Sequence, residues 1–198
     1  MEEKLLLLGD EALALGALHA GLSGVYAYPG TPSTEITEYI QQSPLSRERG
    51  VRSRWCTNEK TAMEAALGMS YAGKRALVCM KHVGMNVCAD AFVNAAITGV
   101  KGGLVVLAAD DPSMHSSQNE QDSRFYGKFA MIPIYAERYE QRRRCGSIVI
   151  ARRSSLLVKE KDSACLPSKQ CNLANPYSLP MPLVCQKSVA TVLMFGPR

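Results

Sequence analysis

Short apolar runs and helical stripes alternate along the first two thirds of the chain. Leu5 to Leu8 reads as a short strand, and Asp10 can cap a helix that ends near His19, before Gly21. Val25 to Tyr28 is a buried-strand run closed by Pro29-Gly30, and Thr31-Pro32 offers a cap and a first helical residue for the next helix. Val51 to Cys56 predicts a strand. Asn58 then caps a helix over 59–72, with Gly73 beyond its end. Ala62, Ala65, Ala66 and Met69 share one face of that helix, small enough to let it lie close on a sheet.

Arg75 to Met80 follows as a strand, 82–86 as a loop, and Val87 to Ile97 as a helix. Leu104 to Ala109 is a buried strand ended by Asp110-Asp111-Pro112. Apolar strands alternating with helices predict an α/β fold, a parallel sheet flanked by helices. Ligands of such sheets bind at the carboxyl ends of strands. The chemically unusual segments, 28–33, 56–60, 81–86 and 109–121, all fall there.

Beyond Ile134 the alternation stops. The chain has 198 residues, 46% hydrophobic and 21% charged, with seven cysteines and a net charge of +5. The charge is uneven: residues 1–134 carry 12 Lys and Arg against 14 Asp and Glu, whereas residues 135–198 carry 11 against 4. The second segment also holds four of the cysteines and runs of arginine and proline. Ser147 to Ala151 and Leu156 to Val158 are its candidate strands. No apolar run reaches 18 residues, so no membrane-spanning helix is expected. The acidic start and short apolar run do not make a secretory signal, which points to a cytoplasmic protein with reduced cysteines. The arginine runs lack interleaved aromatics, so no nucleic-acid partner is expected.

Several side chains have two readings. Glu59 in a first helical turn is favourable against the helix dipole alone; it can equally be a carboxylate ready to share a proton with a heteroaromatic nitrogen. Residues 28–33 are either an ordinary capped turn or an anion site near a helix N-terminus. They contain neither G-x-x-x-x-G-K-[ST] nor G-x-G-x-x-G. His82 and His115 sit in candidate active-face loops, where acid–base work is open to them, and His19 in a helix. Neither H-x-x-x-H nor C-x-x-C occurs, so no metal ligands are expected. Cys56, Cys79 and Cys88 read as small buried hydrophobes.

Taken together, Tyr28-Pro29-Gly30-Thr31-Pro32-Ser33, Asn58-Glu59-Lys60 and Met80-Lys81-His82-Val83-Gly84-Met85-Asn86-Val87 resemble the 2-oxoacid:ferredoxin oxidoreductases. The segments 99–103 and 109–122 narrow the resemblance to the alpha subunits of the indolepyruvate branch, over roughly residues 9–134. It implies the pyrimidine-binding domain of the thiamine-diphosphate-binding fold. It further implies that Glu59 bonds N1′ of the cofactor's aminopyrimidine and favours the imino tautomer that removes the C2 proton. Thr31, Met85 and Asn86 would join Glu59 around the cofactor. Thr31, Lys81 and His82 would form the substrate loop, with His82 beside Glu59 as a catalytic candidate.

The implied reaction is oxidative decarboxylation of an aryl pyruvate to an acyl-CoA. It takes coenzyme A, a beta subunit and ferredoxin, the latter as electron acceptor, and a homo-oligomer is compatible with it. The family's Gly-Asp-Gly type motif for a divalent cation and its C-x-x-C-x-x-C iron–sulfur motifs are missing from the sequence. The cation is therefore expected outside this chain, and the chain alone is expected to be inactive. Residues 135–198 are expected to be an atypical basic tail, translated out of frame or disordered, with an appended binding segment as the alternative. Two other functions stay open: a non-catalytic partner-binding module on the same fold, and one subunit of a split thiamine-dependent decarboxylase.

Overall fold

A computed structural model of the chain describes residues 5–111, 113–114, 116–132, 134–138, 149–151 and 189–195. Four parallel strands form its centre in the order β3 (Arg52–Trp55), β2 (Gly24–Ala27), β4 (Ala76–Lys81) and β5 (Leu104–Asp110). Side chains alternate along them, as a pleat requires. Val25, Ala27, Leu77, Cys79 and Leu107 point to a core shared with α1 (Gly9–His19) and α2 (Thr34–Gln42). Tyr26, Val78, Met80, Val106 and Ala108 point to the other core, under α4 (Glu59–Tyr71) and α5 (Gly84–Thr98). The expected α/β sheet with helices on both faces is thus present. Two short helices were not expected from the pattern: α3 (Pro44–Glu48) and α6 (Arg124–Ala130).

The sheet is not parallel throughout, which corrects the expectation of a parallel sheet. β8 (Val189–Phe195) pairs antiparallel with β5 along seven residues, from Leu104 opposite Phe195 to Asp110 opposite Val189. β6 (Ile134–Arg138) pairs antiparallel with the far side of β8. β8 is drawn in because its apolar residues have a place to go: Leu193 is fully buried, and Phe195 meets Phe92 edge-on at 5.2 Å between ring centres. The expected boundary after residue 134 falls inside β6. β7 (Val149–Ala151), one of the two expected tail strands, pairs antiparallel with β1 (Leu5–Leu7). The other, Leu156 to Val158, lies outside the described residues.

The helix starts also differ from expectation in three places. Leu8, not Asp10, is the N-cap of α1, and its N–H donates to the Glu11 carboxylate at 2.8 Å. α2 begins at Thr34 after a cis Thr31–Pro32 bond, with Ser33 as N-cap. Thr34 Oγ1 accepts from Gly30 N–H at 2.9 Å, so Thr34 rather than Thr31 satisfies the turn. α5 begins at Gly84, which puts Met85 and Asn86 inside its first turn and not in a loop. Asn58 caps α4 as expected, its Oδ1 accepting from Thr61 N–H at 2.8 Å.

Candidate functional site

The site lies at the carboxyl ends of β2, β3, β4 and β5, where the parallel strands release four connections side by side. Asn58 holds the first turn of α4 in place, and Glu59 is therefore delivered directly after the end of β3. Its side chain runs inward, not to solvent: Glu59 is only 9% exposed. It lies against the first residue of α5. A Cβ built on Gly84 would stand 2.6 Å from Glu59 Cγ and 2.7 Å from Oε1, so only glycine leaves room for this carboxylate. Among the described residues no hydrogen bond reaches the Glu59 carboxylate. Its negative charge is felt nearby, since Cys88 is pushed up to about 12, first by burial and then by Glu59.

The turn from β4 into α5 supplies the other expected residues. His82 is fully buried. Its Nε2 lies 3.0 Å from the Asn119 carbonyl, which can only accept, so the proton belongs on Nε2. Nδ1 is buried and without a hydrogen-bond partner among the described residues. Lys81 is half-buried and donates from Nζ to the Ser116 carbonyl. Asn86, exposed on the first turn of α5, donates to Gln121 Oε1 at 3.0 Å and accepts from the Tyr126 hydroxyl at 2.5 Å. Gln121 in turn donates to the His82 carbonyl at 2.7 Å.

These bonds tie the β4–α5 turn to the segment after β5 at three successive points. The segment is itself pinned at its start: Asp111 Oδ2 accepts from Ser116 N–H at 2.8 Å and from Ser117 Oγ at 2.6 Å. Asp110, also buried, accepts from Ser123 Oγ at 2.6 Å at the entrance to α6. The β2–α2 turn closes the third side. A Cβ on Gly30 would lie 3.5 Å from Lys81 Cβ, so the two turns touch.

The expected residues thus separate. Glu59, Lys81, His82 and Asn86 belong to one connected set of turns. Thr31 is exposed beside Gly30, on the rim. Met85 is fully buried in the α4/α5 core with Met80 and Cys88, beneath the turn. His19 is exposed on α1, and His115 lies outside the described residues. Gly84, Gln121, Asn119 and Tyr126 complete the arrangement, although pattern reading gave none of them a role. Gly84 carried a signal, being a glycine two residues after a histidine at a strand end. Gln121 carried none, since its partners are 35 and 39 residues away.

A buried carboxyl group that no donor among the described residues engages can share its proton with a ligand's ring nitrogen. The Gly84 backbone beside it offers a surface without side-chain bulk. The residues present therefore fit the aminopyrimidine of thiamine diphosphate. Among the described residues, no three His, Cys, Asp or Glu gather to hold a metal, and no helix is long and apolar enough to cross a membrane.

Comparison with known proteins places the chain in a family. Residues 15–137 match the family described as pyruvate flavodoxin/ferredoxin oxidoreductase, thiamine diphosphate-binding. The chain is 51% identical over 132 residues to indolepyruvate oxidoreductase subunit IorA of Thermococcus kodakarensis, covering 67% of this chain and 20% of that protein. It is 52% identical over 134 residues to the IorA subunit of Archaeoglobus fulgidus, covering 67% and 22%. A more distant relative is 2-oxoglutarate synthase subunit KorA of Methanothermobacter thermautotrophicus, 32% identical over 141 residues, covering 68% and 37%. Among solved structures, the 2-oxoglutarate:ferredoxin oxidoreductase from Magnetococcus marinus, with 2-oxoglutarate, coenzyme A and succinyl-CoA bound, aligns with a TM-score of 0.50 and 25% identity. That alignment covers 57% of this chain and 19% of that one. The chain spans about one fifth of the length of the IorA relatives. It belongs to the pyruvate flavodoxin/ferredoxin oxidoreductase family, within its thiamine diphosphate-binding domain.

Proposed function

With that membership as the premise, we propose that this chain is the pyrimidine-binding part of an alpha subunit that oxidatively decarboxylates aryl pyruvates of the indolepyruvate type. The observation that carries the proposal is the Glu59 carboxylate, buried at the carboxyl end of β3, without a donor among the described residues and seated against Gly84. When bound, thiamine diphosphate supplies an acidic carbon that adds to the 2-oxoacid carbonyl and takes up the electrons left as carbon dioxide departs.

The chain's own part is proton handling and positioning. Glu59 Oε holds a proton against the ring nitrogen facing it and returns it there, and Gly84 keeps the approach open. Asn86, fixed by Gln121 and Tyr126, is a cofactor-binding residue on the same turn. Met85 supports that turn from the core, and Thr31 closes the rim on the substrate side. His82, its Nδ1 unpartnered among the described residues, is the catalytic candidate inside the turn, and Lys81 brings positive charge to the substrate carboxylate. Likeness to the indolepyruvate oxidoreductase subunits supports the aryl pyruvate as substrate class.

The diphosphate, its divalent cation and the iron–sulfur clusters are assigned to chains or segments beyond these residues, with a beta subunit, ferredoxin and coenzyme A as partners. In this proposal residues 1–134 are the pyrimidine-binding domain, and residues 135–198 derive from a different reading frame. β8 can pair with β5 without shared ancestry, because an antiparallel strand needs only the apolar run of Val189–Phe195. Translating the parent DNA in the other frames after the Ile134 codon tests this, and family-like sequence in one of them is the expected result.

The functional test is electron-acceptor reduction driven by indolepyruvate and coenzyme A, in an enzyme assembled from full-length subunits. Activity is expected with the native alpha subunit and not with Glu59→Gln. Full activity of that variant contradicts the proposal.

A further inference from the structure

Away from the site just described, the outer side of β3 carries a second recognition surface. Hydrogen bonds of the parallel ladder decide which backbone groups face outward. Arg52 N–H donates to the Ser23 carbonyl at 3.0 Å and Cys56 N–H to the Ala27 carbonyl at 2.8 Å. In a parallel pair, residues bonded to one neighbour alternate with residues turned to the other side. Ser53 and Trp55 therefore direct their N–H and C=O groups away from β2. Among the described residues no strand meets them.

Over this edge hangs one stripe of α4, Thr61, Ala65 and Met69, at successive four-residue steps. Between that stripe and β3 runs an open groove of about 590 Å³. Arg52 and Arg54 project into it from the strand, and Lys74 stands at its end. No carboxylate lines it, and none of these three cations is in an ion pair among the described residues. Trp55, 36% exposed, forms one wall.

Charged side chains on an edge strand often serve only to keep other strands away. Two features go beyond that. Lys74 comes from the α4–β4 connection and not from the edge, so a second element adds the same sign of charge to the groove. The floor between the cations is apolar, formed by Ala65 and Met69.

We propose that this edge receives an extended acidic segment of a partner protein, added as one more strand of the sheet. Backbone groups of Ser53 and Trp55 supply the ladder. Glu side chains at alternate positions of the incoming strand face Arg52 and Arg54 as cross-strand neighbours, with their methylene stems over Ala65 and Met69, and the apolar residues between them turn to the opposite face with Ser53 and Trp55.

Trp55 is the single tryptophan of the chain and lies on the edge strand itself, so its fluorescence reports a strand added there. The full 198-residue chain is titrated with a blocked octapeptide alternating Glu and Val, and with its Lys/Val counterpart. Saturable binding of the Glu/Val peptide with a change in Trp55 emission is expected, with none for Lys/Val. Arg52→Glu with Arg54→Glu should weaken binding at least about tenfold. Ser53→Pro removes an outward N–H while leaving the bonds to β2, and the buried Ser53 hydroxyl has no partner to lose. With its far-UV circular dichroism unchanged, this variant should also bind at least about tenfold more weakly.

The proposal is overturned if no saturable binding occurs up to about 1 mM, or if a folded Ser53→Pro chain binds like the native one. Equal competition by inorganic triphosphate and by a Glu/Gly peptide of the same charge also overturns it, since the groove is then a polyanion site without strand addition. Should Ser53→Pro fail to fold, the charge-reversed pair decides, and undiminished binding there contradicts the proposal.

Discussion

Glu59 and Gly84 occupy each other's space: the carboxylate of one lies where the other would carry a Cβ, 2.6 Å from Cγ. A glycine-to-alanine change in a helix ordinarily gains up to about 1 kcal/mol. Here the added methyl overpacks a buried site, at a cost of about 1–3 kcal/mol. Gly84→Ala should therefore destabilise the chain, as measured by urea denaturation. The cost should vanish, or turn to a gain, in a Glu59→Ala background. An equal cost in both backgrounds contradicts the contact.

Asp10 sits in the first turn of α1, and burial, with help from Glu35 and Glu11, raises its pKa from 3.8 to about 6. A folded-state value above the unfolded one means that the fold binds the proton more tightly. This stabilising contribution is complete below about pH 4 and is lost as pH rises through 6. Asp10→Asn should therefore be more stable than the native chain above pH 6, by on the order of 2 kcal/mol. The helix dipole opposes this with only about 0.3–1 kcal/mol. The two denaturation curves should converge as pH falls toward 4. A variant less stable at pH 7 contradicts this account of Asp10.

Leu193, fully buried between β5 and the α4/α5 core, makes β8 a structural part of the sheet. Leu193→Ala should cost about 2–5 kcal/mol, as for other buried leucines. The exposed neighbour Met194, 40% accessible, should tolerate alanine with little change. Equal tolerance at both positions, read by thermal unfolding, means that β8 does not hold the sheet.

The parts of this chain that were legible in its sequence are those where chemistry and conformation are set locally. Asn58 announces the start of α4 because an amide side chain next to a helical run has one obvious use, and Glu59 follows from it. The β2, β4 and β5 runs are apolar on both faces, and that alone predicts a sheet covered on both sides. The apolar pattern places the start of α5 three residues late, at Val87 and not Gly84. Gly84 looks like a loop residue, and the reason for it, the Glu59 side chain, belongs to another helix. Thr31 has the residue type and place of a cap, but the hydroxyl that satisfies the turn is three residues on, at Thr34. β8 is not legible in the sequence because no helix flanks it and its partner strand is some eighty residues earlier. Gln121 was invisible for the same reason, since its two contacts come from a turn that only folding brings near.

One measurement goes straight to the central claim: hydrogen–deuterium exchange at C2 of thiamine diphosphate bound to the assembled enzyme, followed by NMR after acid quench, with native Glu59 and with Glu59→Gln. Loss of a positioned proton-handling group should slow the exchange by about two to four orders of magnitude while cofactor remains bound. Exchange at the native rate in the Glu59→Gln enzyme would mean that this carboxylate does not activate the ring.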